Sequence, residues 1–70
     1  MTGEVKRILS NRAYGFITGE DTDYFFHKSD YEDLWLDLVD DLDKKEVVKV
    51  DFEVEKTSKG LRARKVMRVY

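Results

Sequence analysis

Two segments of the chain, residues 13–18 and 23–28, alternate aromatic residues with other residues at a spacing of two. Residues two apart on a β-strand share one face of the sheet. The pattern therefore predicts two strands, joined by a turn at residues 19–22 that is rich in small and acidic residues. If the two strands are neighbours, four flat side chains line one surface: Tyr14, Phe16, Phe25 and His27.

The segment before these strands, residues 3–9, also has the character of a strand. Val5 and Ile8 are both apolar but lie an odd number of positions apart. A bulge or a sharp bend would place both side chains on one face, and such bends help small barrels to close. Gly15, in the middle of the following strand, allows another backbone or a ligand to approach closely.

The C-terminal third of the chain predicts a hairpin. Residues 47–55 place apolar side chains on one face, and residues 61–69 alternate between two faces. Residues 57–60 form the turn between them, in which Gly60 can adopt positive φ. The more apolar face of the last strand is predicted to hold Leu61, Ala63, Lys65, Met67 and Val69.

A helix is expected between the third and fourth strands. Ser29 has the character of an N-cap, with Glu32 three residues later as its capping-box partner. We therefore predict a helix from residue 30 to about residue 38, with the acidic side chains on its solvated face. Its apolar stripe comprises Tyr31, Leu34, Trp35, Leu38 and Leu42, among which Trp35 and Leu38 are assigned to the buried side.

Size and composition favour one small domain over residues 1–70. The chain has no cysteine, which excludes disulfides and thiolate zinc sites, and its single histidine argues against any metal site or cofactor. We expect five short strands to close into a barrel, because closure removes open sheet edges. We find neither a signal peptide nor an apolar stretch near the roughly 20 residues that span a bilayer, so we expect a cytoplasmic protein without a membrane partner. Separately, we expect a monomer.

The net charge of −2 conceals two opposite regions. Residues 30–46 carry a charge of −6, whereas residues 56–70 carry +6. The domain lacks the strongly basic balance typical of duplex-DNA binders. Single strands bind partly by stacking on aromatic rings and need less positive charge, so the composition remains compatible with a single-strand binder.

The sequence shows no arrangement of catalytic groups. Asp40 and Asp41 are adjacent, without the ligand spacing or the glycine of a calcium-binding loop. No cysteine or serine forms an evident catalytic pattern with His27, for which stacking or hydrogen bonding is the preferred role. We therefore expect a binding protein rather than an enzyme.

Five segments resemble the strands of the cold-shock domain family. Residues 3–6, 12–17 and 23–27 are similar to the first three strands, and the last two of these to the family's two ribonucleoprotein motifs. Residues 50–54 and 59–66 resemble the final two strands. The resemblance implies an all-β, five-stranded antiparallel Greek-key barrel of the oligonucleotide-binding type (OB-fold). It does not cover residues 30–46, which the apolar stripe and the charge described above predict as a short acidic helical insert between the third and fourth strands.

The resemblance also implies binding of single-stranded RNA or DNA on the face of the first three strands, often as an RNA chaperone. Asp23 would offer an acceptor to a base edge, and Lys6, Arg12 and Lys59 would lie near the phosphate backbone. The residues that would stack bases are Tyr14, Phe16, Phe25 and His27.

Three positions depart from the family's pattern. Arg7 replaces the usual tryptophan, Lys28 replaces a phenylalanine, and Ala13 replaces a glycine. The planar guanidinium of Arg7 can stack and attract phosphate, whereas Lys28 adds only charge. The stacking surface is therefore predicted to be smaller and more basic than is usual, and binding weaker.

Two functions follow as hypotheses. The first is binding of single-stranded nucleic acid with little sequence preference, to which Arg62 would contribute with Lys59 by following the phosphates. The alternative is a protein-interaction module in which the acidic insert docks a basic partner. In the second case Trp35 and Leu38 would be exposed and would form the contact surface.

Overall fold

The computed structural model describes residues 1–69 and contains five β-strands, with the longest connection between the third and the fourth. They are β1 (Thr2–Leu9), β2 (Tyr14–Thr18), β3 (Asp23–His27), β4 (Lys49–Thr57) and β5 (Gly60–Arg68), with one α-helix, α1 (Trp35–Asp43), between β3 and β4. Single 3₁₀ turns cover Ser10–Arg12 and Lys28–Asp30. The strand bounds differ from those predicted by one or two residues.

The five strands close into a barrel in the order β1-β2-β3-β5-β4. The pairs β1–β2, β2–β3, β4–β5 and β1–β4 are antiparallel, and a short parallel contact between Phe25 and Arg62 joins β3 to β5. The predicted five-stranded barrel with a helix between the third and fourth strands is confirmed. None of the helices described is long and apolar enough to cross a membrane.

The bulge predicted in β1 is present. The register of its pairing with β2 shifts between Val5 and Arg7, so that Val5 is buried and Ile8 also packs against the core. A Cβ on Gly15 would lie 2.7 Å from the carbonyl oxygen of Arg7 and 2.6 Å from Ile8 Cδ1. The close approach at Gly15 is therefore made by β1 rather than by a ligand.

The alternation predicted for the last strand is wrong beyond Ala63. Lys65 adopts a φ of 51°, and the register against β4 shifts between Asp51 and Glu53. This irregularity turns Val66 inward, so that Ala63 and Val66 are both fully buried although they are three residues apart. Met67 and Val69, which were assigned to the same face as Ala63, are exposed.

The helix begins at Trp35 rather than at residue 30, so the predicted start is wrong. Ser29 is not its N-cap, because Leu34 occupies that position and Ser29 lies in the Lys28–Asp30 turn, where its backbone N–H donates to His27 Nδ1 at 3.1 Å. The N–H of Glu32 donates to the carbonyl of Val66 at 2.8 Å, and Tyr31 forms an isolated parallel bridge with Val66. Pairing with β5 thus holds residues 31–32 in an extended conformation that excludes a helix there.

The helix nevertheless buries the two residues assigned to its buried side, whereas Leu34 of the predicted apolar stripe precedes the helix and is exposed. Trp35 and Leu38 are 8% and 0% exposed. The ring of Trp35 lies 6.0 Å from that of Phe26 and 6.2 Å from that of Tyr31, measured between centroids. The helix therefore covers one end of the barrel core.

Candidate nucleic-acid interface

Four side chains of the β2–β3 hairpin form one surface, which we call the ring face: Tyr14, Phe16, Phe25 and His27. The register of the hairpin pairs Tyr14 with His27 and Phe16 with Phe25. All four side chains are half-buried, whereas the alternate residues Ile17, Tyr24 and Phe26 are buried. The structure thus separates the two faces of the hairpin as the alternation predicts.

Three rings of the ring face contact one another. The centroid of Tyr14 lies 5.9 Å from that of Phe16 and 5.3 Å from that of Phe25, and the centroids of Phe16 and Phe25 are 6.1 Å apart. The interplanar angles range from 40° to 82°, so the rings form a faceted surface rather than a flat one. Such a surface offers several ring planes on which unpaired bases can stack.

The turn that follows β3 orients His27. Its ring nitrogen Nδ1 accepts the backbone N–H of Ser29 at 3.1 Å. The backbone N–H of His27 donates to Asp30 Oδ2 at 2.9 Å. A backbone N–H can only donate, so in the neutral imidazole Nδ1 is the acceptor and Nε2 carries the proton. The local hydrogen bonds of the Lys28–Asp30 turn thus set the tautomer of His27.

Two arginines flank the ring face from opposite sides. The guanidinium carbon of Arg7 lies 5.7 Å from the ring centroid of Phe16, and that of Arg62 lies 6.0 Å from that of Phe25. Both distances are within the range of cation–π contacts. Arg7, from β1, therefore keeps contact with the aromatic surface at the position where the resemblance implied tryptophan.

Lys6 and Asp23 neutralise each other at the edge of the ring face. Lys6 Nζ donates to Asp23 Oδ2 at 3.0 Å, and Thr18 Oγ1 donates to Asp23 Oδ1 at 3.1 Å. The hydrogen bond from Lys6, followed by that from Thr18, lowers the pKa of Asp23 below its usual value. For Lys6 to contact phosphate, or Asp23 a base edge, this ion pair must open or share its partners.

Three other cations predicted for the site are exposed: Arg12, Lys28 and Lys59. The backbone N–H of Lys28 donates to the carbonyl of Ala13 at 2.8 Å. This hydrogen bond joins the segment that precedes β2 to the turn that follows β3. Arg12 and Lys28 thus lie near the same end of the ring face. None of the three forms an ion pair within the described part of the chain, so each is available to phosphate.

A groove of about 520 Å³ lies between the ring face and the β4–β5 turn. Lys59 and Arg62, which the sequence suggested, line it. Four further residues of the β4–β5 hairpin line the groove and were not predicted as site residues: Thr57, Ser58, Gly60 and Leu61. The sequence indicated only that the first three lie in the turn and that Leu61 begins the last strand. Thr57 Oγ1 donates to the Gly60 carbonyl at 2.8 Å, and Gly60 has a φ of 123°, so the turn has a defined shape.

Asp30 is buried, contrary to its expected place on a solvated helical face. Its side chain is 3% exposed; Oδ2 accepts the Nε–H of Arg62 at 2.9 Å, and Oδ1 forms an ion pair with Nε of Arg64 at 2.9 Å. The hydrogen bond with Asp30 is also the main cause that raises the pKa of Arg62. Because Arg62 is 32 residues away in the chain, no local pattern in the sequence indicates this contact.

The helix of the acidic insert lies on the β1 side of the ring face, whereas Asp30, at the start of the insert, lies beside Arg62 of the groove. Leu42 and Asp43 of the helix line a smaller cavity of about 210 Å³ together with Lys6 and Arg7 of β1. Asp41 pairs with Arg68, and Asp40 pairs with Lys44 at 3.2 Å. Part of the negative charge is therefore compensated within the protein.

The contact surface proposed for a protein partner is not available. Trp35 and Leu38 would have to be exposed to dock a partner, and both are buried. The apolar side chains that the insert does expose are instead those of Leu34 and Leu36.

A protein-family model described as the "Cold-shock" DNA-binding domain matches residues 1–69 of the chain. The match includes all five strands and the helical insert. No curated protein matches the chain.

Proposed function

This chain belongs to the cold-shock domain family, and on that premise we propose that it binds single strands by stacking unpaired bases on the ring face. Membership makes the chain a nucleic-acid-binding domain. The preference for single strands and the stacking mechanism are the proposal. In this mechanism the bases leave intramolecular pairing and the protein holds them apart, as an RNA chaperone does, without a catalytic step.

The half-exposed ring face carries this proposal. A small barrel must bury most of its large apolar side chains to be stable. This chain leaves Tyr14, Phe16 and Phe25 in contact with water although their neighbours along the strands are buried. Stacking on such rings is tolerant of sequence, because every base has a π-face.

The cations around the ring face support weak, salt-dependent binding. Around the ring face, four exposed cations form no ion pair within residues 1–69: Arg7, Arg12, Lys28 and Lys59. If each contacts one phosphate, log K should fall against log salt with a slope of about −3, since a single strand contributes roughly −0.7 per neutralised phosphate. The acidic insert lies beside Arg7 and should limit the length of strand that can be bound on that side.

The test is the fluorescence anisotropy of a labelled pyrimidine-rich oligonucleotide, titrated as single strand and as duplex. We expect the single strand to bind more tightly. The double substitution of Phe16→Ala and Phe25→Ala should weaken this binding thirtyfold or more, since stacking is worth about 1–3 kcal/mol per base.

The matched control is the double substitution of Val54→Ala and Met67→Ala. Both side chains are exposed and apolar and lie outside the ring face. This variant should bind as the unmodified protein does, and circular dichroism should show that both variants are folded. Unchanged binding by the Phe16 and Phe25 variant would reject stacking as the mechanism.

A further inference from the structure

We propose that the groove beside Phe25 is a base-selective slot, in which Arg62 reads the O6 and N7 acceptors of a guanine and Asp30 positions Arg62. This inference rests on the proposed function and refines it. General stacking on the ring face has little sequence preference, whereas this slot prefers one base.

The buried carboxylate of Asp30 fixes the orientation of Arg62. Asp30 Oδ2 accepts both Nε of Arg62 and the backbone N–H of His27, each at 2.9 Å. Asp30 Oδ1 forms an ion pair with Nε of Arg64 at 2.9 Å, so both carboxylate oxygens have partners. A side chain that is fixed before binding loses less conformational entropy when it recognises a ligand.

The contact with Asp30 uses Nε and leaves the end of the Arg62 guanidinium for a ligand. Within residues 1–69, neither Nη atom of Arg62 has a hydrogen-bond partner. Arg62 lines the groove together with Phe25 and Leu61. The slot thus combines an aromatic ring, an aliphatic side chain and hydrogen-bond donors.

The local charge favours a base over a phosphate as the partner of Arg62. Asp30 and Glu55 bear two negative charges, and Arg62 and Arg64 bear two positive charges. Glu55 accepts Nη1 of Arg64 at 2.9 Å, which completes a cluster without net charge. Such a cluster attracts distant phosphates weakly, but direct hydrogen bonds from Arg62 remain available at short range.

The chemistry of the guanidinium selects guanine among the purines. Arginine has only donors and pairs in bidentate fashion with the O6 and N7 acceptors of guanine. Adenine presents an N6 donor in place of O6, so one Nη–H would face another donor. A bidentate pair of this kind discriminates between bases by about 5- to 150-fold in affinity.

The experiment compares labelled thymidine heptamers whose central base is guanine, adenine or 7-deazaguanine. The last of these keeps the size of guanine but lacks N7. For the unmodified protein we expect at least fivefold tighter binding of the guanine heptamer than of either other heptamer. Arg62→Gln should abolish this preference.

Arg64→Gln is the matched control. It removes the same charge and also breaks a contact with Asp30, but Arg64 does not line the groove. We therefore expect the guanine preference to persist in this variant. Loss of the preference in both variants would overturn the assignment of Arg62 as the reader.

The dependence on salt distinguishes a base contact from a phosphate contact. Arg62→Gln should leave the slope of log K against log salt unchanged, whereas Lys59→Gln should reduce its magnitude by about 0.7. Uniform weakening of all heptamers by Arg62→Gln, with a smaller slope, would identify Arg62 as a phosphate contact and overturn the proposal.

Asp30→Asn tests the role of Asp30 as a positioning residue. Removing this negative charge should maintain or strengthen the binding of the all-thymine heptamer while the guanine preference falls. A purely structural role would instead weaken the binding of every heptamer, and if the variant does not fold, Arg62→Gln decides. Equal binding of all heptamers would overturn the slot alone, whereas binding of none would overturn the proposed function together with it.

Discussion

Two groups of aromatic rings, one on each face of the β2–β3 hairpin, are similar in geometry and opposite in environment. Within the ring face the centroids lie 5.3 to 6.1 Å apart. The second group, which we call the inner rings, comprises Phe26, Tyr31 and Trp35, with centroids 6.0 to 6.4 Å apart. The inner rings are at most 8% exposed, whereas the rings of the ring face are half-exposed.

This difference shows that contact between rings does not by itself distinguish a core from a binding surface. The guanidinium groups of Arg7 and Arg62 lie over two rings of the ring face, those of Phe16 and Phe25. Cations that share a surface with half-exposed rings indicate affinity for bases and phosphates. The inner rings serve the stability of the barrel.

Phe25 and Phe26 allow the most direct test of the comparison, because they are adjacent and chemically identical. Phe26→Ala should lower the free energy of unfolding by about 3–5 kcal/mol, since it leaves a cavity in a small core. Phe25→Ala should cost only about 1 kcal/mol, because its ring already contacts water. Urea unfolding at neutral pH measures both values.

The binding of single strands should show the opposite order. Phe25→Ala should weaken the binding of a pyrimidine-rich strand, whereas the Phe26 variant should bind normally under conditions in which it is folded. Equal destabilisation by the two substitutions would mean that the ring face belongs to the core, and the comparison would fail.

The same hairpin shows why part of the fold could be predicted from the sequence. Strict alternation over residues 14–18 and 23–27 determines both the strands and their faces, because side chains on a strand alternate geometrically. The bulge in β1 was predicted from Val5 and Ile8 for the same reason. These predictions depend only on residues that are close in the chain.

The region that follows β3 could not be predicted in the same way. Ser29 and Glu32 match a capping box, yet the N–H of Ser29 is taken by His27 and that of Glu32 by Val66. Val66 is distant in the chain, and it is turned inward by the positive φ of Lys65. Tertiary contacts therefore override a local capping signal, and they also bury Asp30 beneath two arginines.

Arg7→Trp should extend the ring face and sharpen its difference from the inner rings. A further ring beside Phe16 should tighten the binding of single strands by about 1–3 kcal/mol at moderate salt. The loss of one charge should reduce the magnitude of the salt slope by about 0.7. Anisotropy titrations at several salt concentrations measure both effects.

Lys49→Trp is a suitable control for this prediction. Lys49 is exposed on β4, where it pairs with Glu4, outside the ring face. This substitution also replaces a cation with tryptophan but does not extend the stacking surface, so it should not tighten binding. A gain from both variants would point to nonspecific adsorption on tryptophan.

Ala13→Gly tests whether the ring face is built at a cost in stability. Ala13 precedes Tyr14 and has a φ of 58°, a conformation that is unfavourable for alanine and favourable for glycine. We expect the substitution to raise the free energy of unfolding by about 1 kcal/mol. Ala63→Gly, in the buried middle of β5, should lower it, and stabilisation by both would contradict this explanation.

The smallest effect concerns Asp23 and reports on the electrostatics of the ring face. Its pKa lies below the usual value of 3.8, chiefly because Lys6 donates to it and secondly because Thr18 does. A carboxyl group with a lowered pKa in the folded state stabilises the protein above its unfolded pKa, and the stabilisation is lost as the pH falls through the folded pKa. The free energy of unfolding should therefore decrease slightly as the pH is lowered below about 4.

Carboxyl NMR titration measures this pKa directly. Lys6→Met should raise it towards the usual value, and Thr18→Val should raise it by less. High salt should also raise it, because the Lys6–Asp23 pair is exposed and therefore screened.

Titration of Asp23 in the presence of a bound single strand decides whether Lys6 belongs to the interface. A phosphate that takes Lys6 from Asp23 removes the main cause of the lowered pKa, so the pKa should rise when the strand binds. If it stays low in the complex, Lys6 remains paired with Asp23 and contributes no phosphate contact. The positive charge of the interface would then come from Arg7, Arg12, Lys28 and Lys59, and the salt slope should stay near −3 in Lys6→Met.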